Sequence, residues 1–360
     1  MTLEELGFNE ALEEFRRSNN MDAFIAGRIA SEHKERYLVK TVTGEFEGEV
    51  LGNLRFTATS RADFPLVGDW VNCSEYDDNK VLIHSILPRK TLLERKASGS
   101  KGEKQPIAAN IDTAFIVTSI DRDFSINRIE RYLTICYNAK VDPLVVISKT
   151  DLVSDTELEP VLSSIKKRMD HVNVIALSNI SGDGINAIRD LIKKGHTYCL
   201  LGSSGVGKST LLNKLAGREL MKTGQISRFA ERGKHVTSRR ELFVLESGGI
   251  IIDNPGMREL GIADSGSGLD ITFENILDIA SDCKYADCTH VSEEGCAVIR
   301  AVEEGSIAME TYENYLRLER EKEHYESTLA ERRQKDKEFG KMIKKFKNDM
   351  GKLGNKPDYQ

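Results

Sequence analysis

Apolar residues in the first 18 positions fall at Leu3, Leu6, Leu12 and Phe15, roughly along one side of a short helix. From about residue 22 to 93 the pattern changes to short β-like runs broken by turn residues: FIAGRIA, RYLVKTV, FEGEVL, DWVNCSEY and NKVLIHSIL. Several short strands at this spacing predict a small closed barrel, and an OB-type barrel is the expected form. The stretch ASGSKGEKQP at 97–106 is rich in Gly, Ser, Lys and Pro and predicts a flexible linker.

Beyond about residue 110 apolar runs alternate with helical stretches. Strands are expected at TAFIVTS (113–119), PLVVIS (143–148), VNVIALS (172–178), TYCLLG (197–202), LFVLE (242–246) and GGIIID (248–253). INRIERYLTICYNA (126–139) and GINAIRDLIKK (184–194) carry helical spacing between them. Such alternation predicts a mainly parallel sheet with helices on both faces. After about 265 the pattern is helical, and from 308 it is dominated by Glu, Arg and Lys. The expected division is a helix and barrel over 1–96, a linker over 97–106, an α/β domain over 107–265, and a helical domain with a basic tail over 266–360.

Within the α/β region, LGSSGVGKST matches G-x-x-x-x-G-K-[ST] through Gly202, Ser203, Ser204, Gly205, Val206, Gly207, Lys208 and Ser209, with Thr210 next. An apolar strand precedes it and a helical run follows, which is the context a phosphate-binding loop needs. Its glycines let backbone N–H groups turn toward phosphate, aided by the positive end of the helix. Lys208 would meet the β- and γ-phosphates, and the Ser209 hydroxyl would ligate Mg²⁺. Downstream, Asp253-Asn254-Pro255-Gly256 follows another apolar strand. Asp253 is placed to hold Mg²⁺, the Gly256 N–H to bond the γ-phosphate, and Thr237, between the two motifs, to add a second hydroxyl on the metal.

Base recognition has two candidates. Asn355–Asp358 spells N-K-x-D, but no apolar strand precedes it and Pro357 opposes one. Ser148-Lys149-Thr150-Asp151 instead follows the apolar run Leu144–Ile147, and Ser178-Asn179 follows a second such run. The Asp151 carboxylate can pair with N1–H and N2–H₂ of guanine, a donor edge that adenine lacks. Ser148–Asp151 is therefore the expected base site, and the C-terminal match is a coincidence of letters. The chain order becomes base motif, sugar-side loop, phosphate loop and then the two γ-phosphate segments, a circular permutation of the usual guanine-nucleotide order.

Six cysteines are present, three of them between 283 and 296. Cys283, Cys288, His290 and Cys296 have the C-x₄-C-x-H-x₅-C spacing of a closed tetrahedral Zn²⁺ site with no vacant position for chemistry. Cys73, Cys136 and Cys199 lie apart, so the composition suits a reduced cytoplasmic protein rather than a disulfide framework. The apolar runs are too short for a membrane span, and the acidic N-terminus lacks a secretory signal pattern. No membrane partner is expected, and a monomer is.

A net charge of −6 argues against a general nucleic-acid coat, yet residues 331–360 hold ten Lys/Arg against five Asp/Glu, and 89–104 six against two. Local basic faces of this kind suit RNA. Tyr37, Phe56 and Trp70 are the barrel aromatics, and core packing is their expected role.

The permuted order, TGQISRFAERGKHVTS, DNPGMREL and the Cys/His cluster together resemble the RsgA family of permuted GTPases of small-ribosomal-subunit assembly, over about residues 20–320. The resemblance implies an α/β fold in which a circularly permuted P-loop GTPase domain is flanked by an OB-type barrel and a helical zinc-binding domain. It also implies hydrolysis of GTP to GDP on the small (30S) subunit, with 16S rRNA as a partner. Ser148 stands where most members have Asn, and His-Val-Thr-Ser at 235–238 where His-Thr-Thr-Thr is usual. Met257 occupies the place where Ras-like enzymes have a water-orienting Gln, so intrinsic turnover is expected to be slow. His235 is the candidate to position water, with Lys208 and Thr237 completing the catalytic set. Arg239, Arg240 and Arg258 are expected to be solvated or partner-facing. An RNA-binding scaffold whose nucleotide only tunes affinity and an unrelated P-loop ATPase remain the alternatives.

Overall fold

A computed structural model of the chain describes residues 1–33, 36–96, 104–121, 124–221, 240–254 and 267–326, together with residue 334. His235, Thr237, Gly256, Met257, Arg239, Arg258 and the Asn355–Asp358 tetrapeptide lie outside the described residues.

Strands β1 (Ile25–His33), β2 (Arg36–Lys40), β3 (Glu45–Val50), β4 (Trp70–Asp77) and β5 (Lys80–Ile86) form the N-terminal barrel. The order β1-β2-β3-β5-β4 closes through antiparallel β1–β4 pairing, Ile25 opposite Cys73 and Arg28 opposite Trp70, while β3 and β5 run parallel. This closure removes the sheet edges that five short strands would otherwise expose. Side chains alternate across each strand, so Ile29, Tyr37, Val39, Val71, Val81 and Ile83 fill the interior. Tyr37 and Trp70 are buried as expected, but Phe56 is 91% exposed, on a short helix Gly52–Thr57 that links β3 to β4.

β6 (Leu92–Lys96) and β7 (Lys104–Ala109) form an antiparallel hairpin. The expected linker thus enters strand at Lys104, because the apolar Ile107, Ala108 and Ala109 are fully buried and draw the chain into the core. β8 (Thr113–Ser119), β9 (Asp142–Ser148), β10 (Val174–Ala176), β11 (Thr197–Leu201), β12 (Glu241–Val244) and β13 (Ile250–Asp253) build the α/β sheet in the spatial order β10-β9-β8-β11-β13-β12. The first five of these are parallel and β12 is antiparallel. The near-continuous apolar runs are explained by burial on both faces, under two separate clusters centred on Ile116, Val145 and Cys199 and on Phe115, Val146 and Leu200. A single bridge, Ser31 to Glu241, joins the barrel to β12.

Helix Ile126–Asn138 starts on a Ser125 side-chain cap and bears on both neighbours of the sheet. One end reaches the phosphate loop. Farther along, Glu130 accepts hydrogen bonds from Arg168 and Asn314, Arg131 pairs with Glu321, Thr134 bonds Thr272 and Asn138 accepts from Gly268 N. A Cβ on Gly268 would lie 2.3 Å from Thr134 O, so only glycine permits this approach. The C-terminal helices Gly268–Thr272, Glu274–Ala280 and Ala297–Glu303 and a helix over 309–326 enclose Phe273, Ile276, Val298, Tyr315 and Leu318. Among the described residues, no helix is long and apolar enough to cross a membrane.

Candidate nucleotide site and metal centre

The motifs at the C-terminal ends of β9, β10, β11 and β13 share one edge of the sheet, where α/β folds bind ligands. β11 is central, between β8 and β13, and runs straight into the loop Gly202–Gly207. Gly202 has φ +137°, and a Cβ there would sit 2.1 Å from Val117 O. A side chain is excluded on both counts, which holds the loop close to the sheet.

Lys208 opens helix Lys208–Ala216, and its Nζ donates to Gly202 O at 2.8 Å and Ser203 O at 2.7 Å. Burial pushes its pKa down to about 8, while the nearby Asp253 acts the other way. Burial likewise raises the Asp253 carboxyl, opposed by Lys208. The two buried charges therefore steady each other beside the loop. Ser204, Gly205 and Val206 complete its turn, and Ser209 and Thr210 follow on the helix's first turn, part-buried.

Two side chains from the base-side loops hold the phosphate loop from behind. The fully buried Ser148 hydroxyl donates toward Val206 O at 2.6 Å, with Thr118 O at 3.2 Å, and Asn179 Nδ2 donates to Gly207 O at 3.2 Å. Serine thus makes the loop contact at the first position of its motif. Lys149 has φ +62° and its Nζ pairs with Asp121 at 2.7 Å. The turn Thr150–Leu152 then leaves Asp151 exposed at the surface, where its Oδ1 accepts from Ser178 Oγ. Ser178 Oγ accepts in turn from Ile180 N and Ser181 N. The structure brings Ser148, Asp151, Ser178, Asn179, the 202–209 loop and Asp253 into one constellation.

Local pattern did not reveal three of its members. Arg128 Nη1 donates to Ser203 Oγ at 3.2 Å, and Tyr132 also hydrogen-bonds Ser203. Their partner lies some seventy positions away in the chain, so only the fold brings them together. Asn254 is fully buried with both amide atoms unpartnered among the described residues. Asn179 Oδ1 is likewise buried and unpartnered among them. Such orphaned groups next to a phosphate loop fit a site that a polar ligand completes. Arg240 is not the solvated charge expected of it: it is half-buried, and its Nη1 donates to Pro106 O.

Cys283, Cys288, His290 and Cys296 bring one donor atom each to within 4.8 Å of one another. The Cys283 and Cys296 sulfurs are 3.9 Å apart, and His290 Nδ1 is 3.6 and 3.5 Å from them. Tetrahedral Zn–S bonds of ~2.3 Å place two sulfurs about 3.8 Å apart, so the residues fit that ion. His290 takes φ +58° to aim its ring, and its carbonyl accepts from Tyr312 OH. Backbone N–H groups of Ala297 and Ile299 donate to the Cys283 and Cys296 sulfurs, which favours the thiolate form.

The RsgA GTPase family model matches residues 86–263. A relative from Methanosarcina acetivorans, named small ribosomal subunit biogenesis GTPase RsgA, is 38% identical over 96% of this chain and 94% of its own length. One from Listeria innocua, small ribosomal subunit biogenesis GTPase RsgA 1, is 40% identical over 89% of each chain. Among solved structures, YjeQ from Thermotoga maritima aligns with a TM-score of 0.62 at 26% identity, covering 85% of this chain and 98% of that one. YloQ, described as a circularly permuted GTPase, aligns at 0.58 and 24% identity over 82% and 94%, a likeness of fold.

Proposed function

The chain belongs to the RsgA GTPase family, and on that premise we propose that it hydrolyses GTP while bound to the small ribosomal subunit during late assembly. The observation that supports this reading is the pair of hydrogen bonds from Ser148 and Asn179 to the 202–207 loop, which tie the loops bearing Asp151 to the one leading into Lys208, as a single nucleotide cradle requires.

In this reading Asp151 takes the guanine N1–H and N2–H₂, and Ser178-Asn179 supply polar contacts to the base edge. Loop N–H groups from Ser203 to Thr210 and the Lys208 ammonium hold the phosphates. Ser209, Thr237 and Asp253 would hold Mg²⁺, which would supply neutralisation of phosphate charge. Gly256 N–H bonds the γ-phosphate, and His235 positions the water that Met257 cannot orient. The assignments of His235, Thr237 and Gly256 rest on their places in the sequence. Intrinsic hydrolysis is slow and is stimulated by the small subunit. Zn²⁺ at Cys283, Cys288, His290 and Cys296 is structural. The units follow the divisions 1–96, 107–265 and 266–360, and the chain acts as a cytoplasmic monomer with 16S rRNA in contact with its basic stretches.

Turnover of GTP and of ATP, each with and without purified small subunits, tests the reading. Strong subunit-dependent GTP hydrolysis is the expected result, and its loss in His235→Ala with nucleotide still bound places the water. Unchanged turnover with tight subunit binding would instead make the chain a scaffold, and preference for ATP would remove the guanine assignment.

A further inference from the structure

A cavity of about 280 Å³ lies where the N-terminal segment, the barrel and the start of β11 meet. Its lining combines the apolar Leu12, Trp70 and Pro88 with the charged Arg28, Arg89, Lys90 and Asp112. That volume is at the small end of ligand pockets, which run from ~300 Å³ upward.

Arg28 is the unusual feature. It is 1% exposed and lies 5.5 Å over the Trp70 ring. Its donors reach Gly68 O, Leu6 O, Asn110 O and the Thr197 hydroxyl, all uncharged. A guanidinium has five N–H groups, so the second hydrogen on Nη1 has no acceptor among the described residues. Nη1 faces Gly7, a cavity residue where an added Cβ would come within 2.7 Å of it.

The nearest carboxylates are committed elsewhere. Asp69 is held by two hydrogen bonds from Arg89, at 2.8 and 2.6 Å. Asp112 accepts from Lys90 Nζ at 2.7 Å and Thr197 N at 2.8 Å. A buried cation without a directly bonded anion is costly, and a hydrogen-bonded anion relieves that cost.

We propose that this cavity is a ligand site for a small organic carboxylate, its anion on Arg28 Nη1 and its apolar body against Leu12, Trp70 and Pro88. Arg89 is paired with Asp69 and Lys90 with Asp112, which leaves the Arg28 charge over and calls for a monoanion, and the apolar lining calls for more than a bare ion. The site is separate from the nucleotide cradle, which lies at the opposite end of β11.

Benzoate serves as the probe, titrated calorimetrically into the full chain beside benzamide and inorganic phosphate. One benzoate per chain is expected, with benzamide at least tenfold weaker and phosphate not competing. Ala11→Trp fills the cavity mouth from an exposed helix position. It is expected to weaken benzoate at least tenfold and leave GTP binding unchanged, which shows that the chain is still folded. Benzamide binding as well as benzoate, phosphate displacing it, no saturable benzoate binding, or benzoate unaffected by Ala11→Trp would each overturn the proposal.

Discussion

The four candidate metal ligands fall within residues 283–296, and their donor atoms meet within 4.8 Å, held by hydrogen bonds from nearby backbone and from Tyr312. The nucleotide cradle instead draws on Ser148, Asn179, the 202–209 loop and Asp253, which converge only because β9, β11 and β13 lie side by side. The first is a local device whose geometry follows from chain spacing and brings four donor atoms together. The second is a topological device, in which side chains from one loop hold the carbonyls of another. A local site should fail alone when a ligand is removed. A topological site should weaken wherever one of its cross-loop ties is cut.

The largest effect is expected at the cluster. Metal analysis of the purified chain should find one zinc, falling to none in Cys288→Ser or after strong chelation, with residues 267–326 then open to protease while nucleotide still binds. Retained nucleotide binding is what separates the two devices, and its loss would mean that they form one unit.

Cutting a tie in the cradle comes next. Ser148→Ala removes the buried hydroxyl from Val206 O and leaves that carbonyl without this donor. Denaturant unfolding should show a loss of about 1–3 kcal/mol, accompanied by weaker GTP binding and an intact zinc content. An unchanged unfolding midpoint would show that the Ser148 contact holds nothing.

The same contrast explains what could be read before the fold was known. The cysteine cluster, the strand before Gly202 and the strands leading to Ser148 and Asp253 are all contiguous patterns, and each appears where its pattern predicts. The five-strand barrel also follows from its short alternating runs, although the helix Gly52–Thr57 and the hairpin of β6 and β7 were hidden by polar, turn-like text. Contacts between distant positions carry no local signal. Arg128 on Ser203, Ser148 on Val206 and the buried Arg28 beside Thr197 became visible only once the strands were aligned.

A smaller effect is expected from pH. Burial lowers the free Lys208 ammonium to about 8, whereas bound phosphate favours its charged form. Nucleotide binding therefore takes up a proton above pH 8, and GTP affinity should fall by up to about tenfold per pH unit as pH rises beyond it. Below that pH the group is already charged and the dependence should flatten. Equilibrium titrations from pH 7 to 9.5 check the slope, which Lys208→Gln should abolish.

The central claim is that Asp151 reads the base of the nucleotide whose phosphates Lys208 holds, and exchanging its carboxylate for an amide tests this most directly. Asn at 151 offers one acceptor for N1–H and one donor, which matches the C2 carbonyl of xanthine and opposes the amino group of guanine. Binding of the guanosine and xanthosine triphosphates to Asp151→Asn should therefore show guanosine weakened by about one to two orders of magnitude, from loss of the charge-assisted hydrogen bond with N2–H₂ at ~1.5–3 kcal/mol, with xanthosine now preferred. Undiminished guanosine affinity in that variant would place the purine elsewhere and contradict the account.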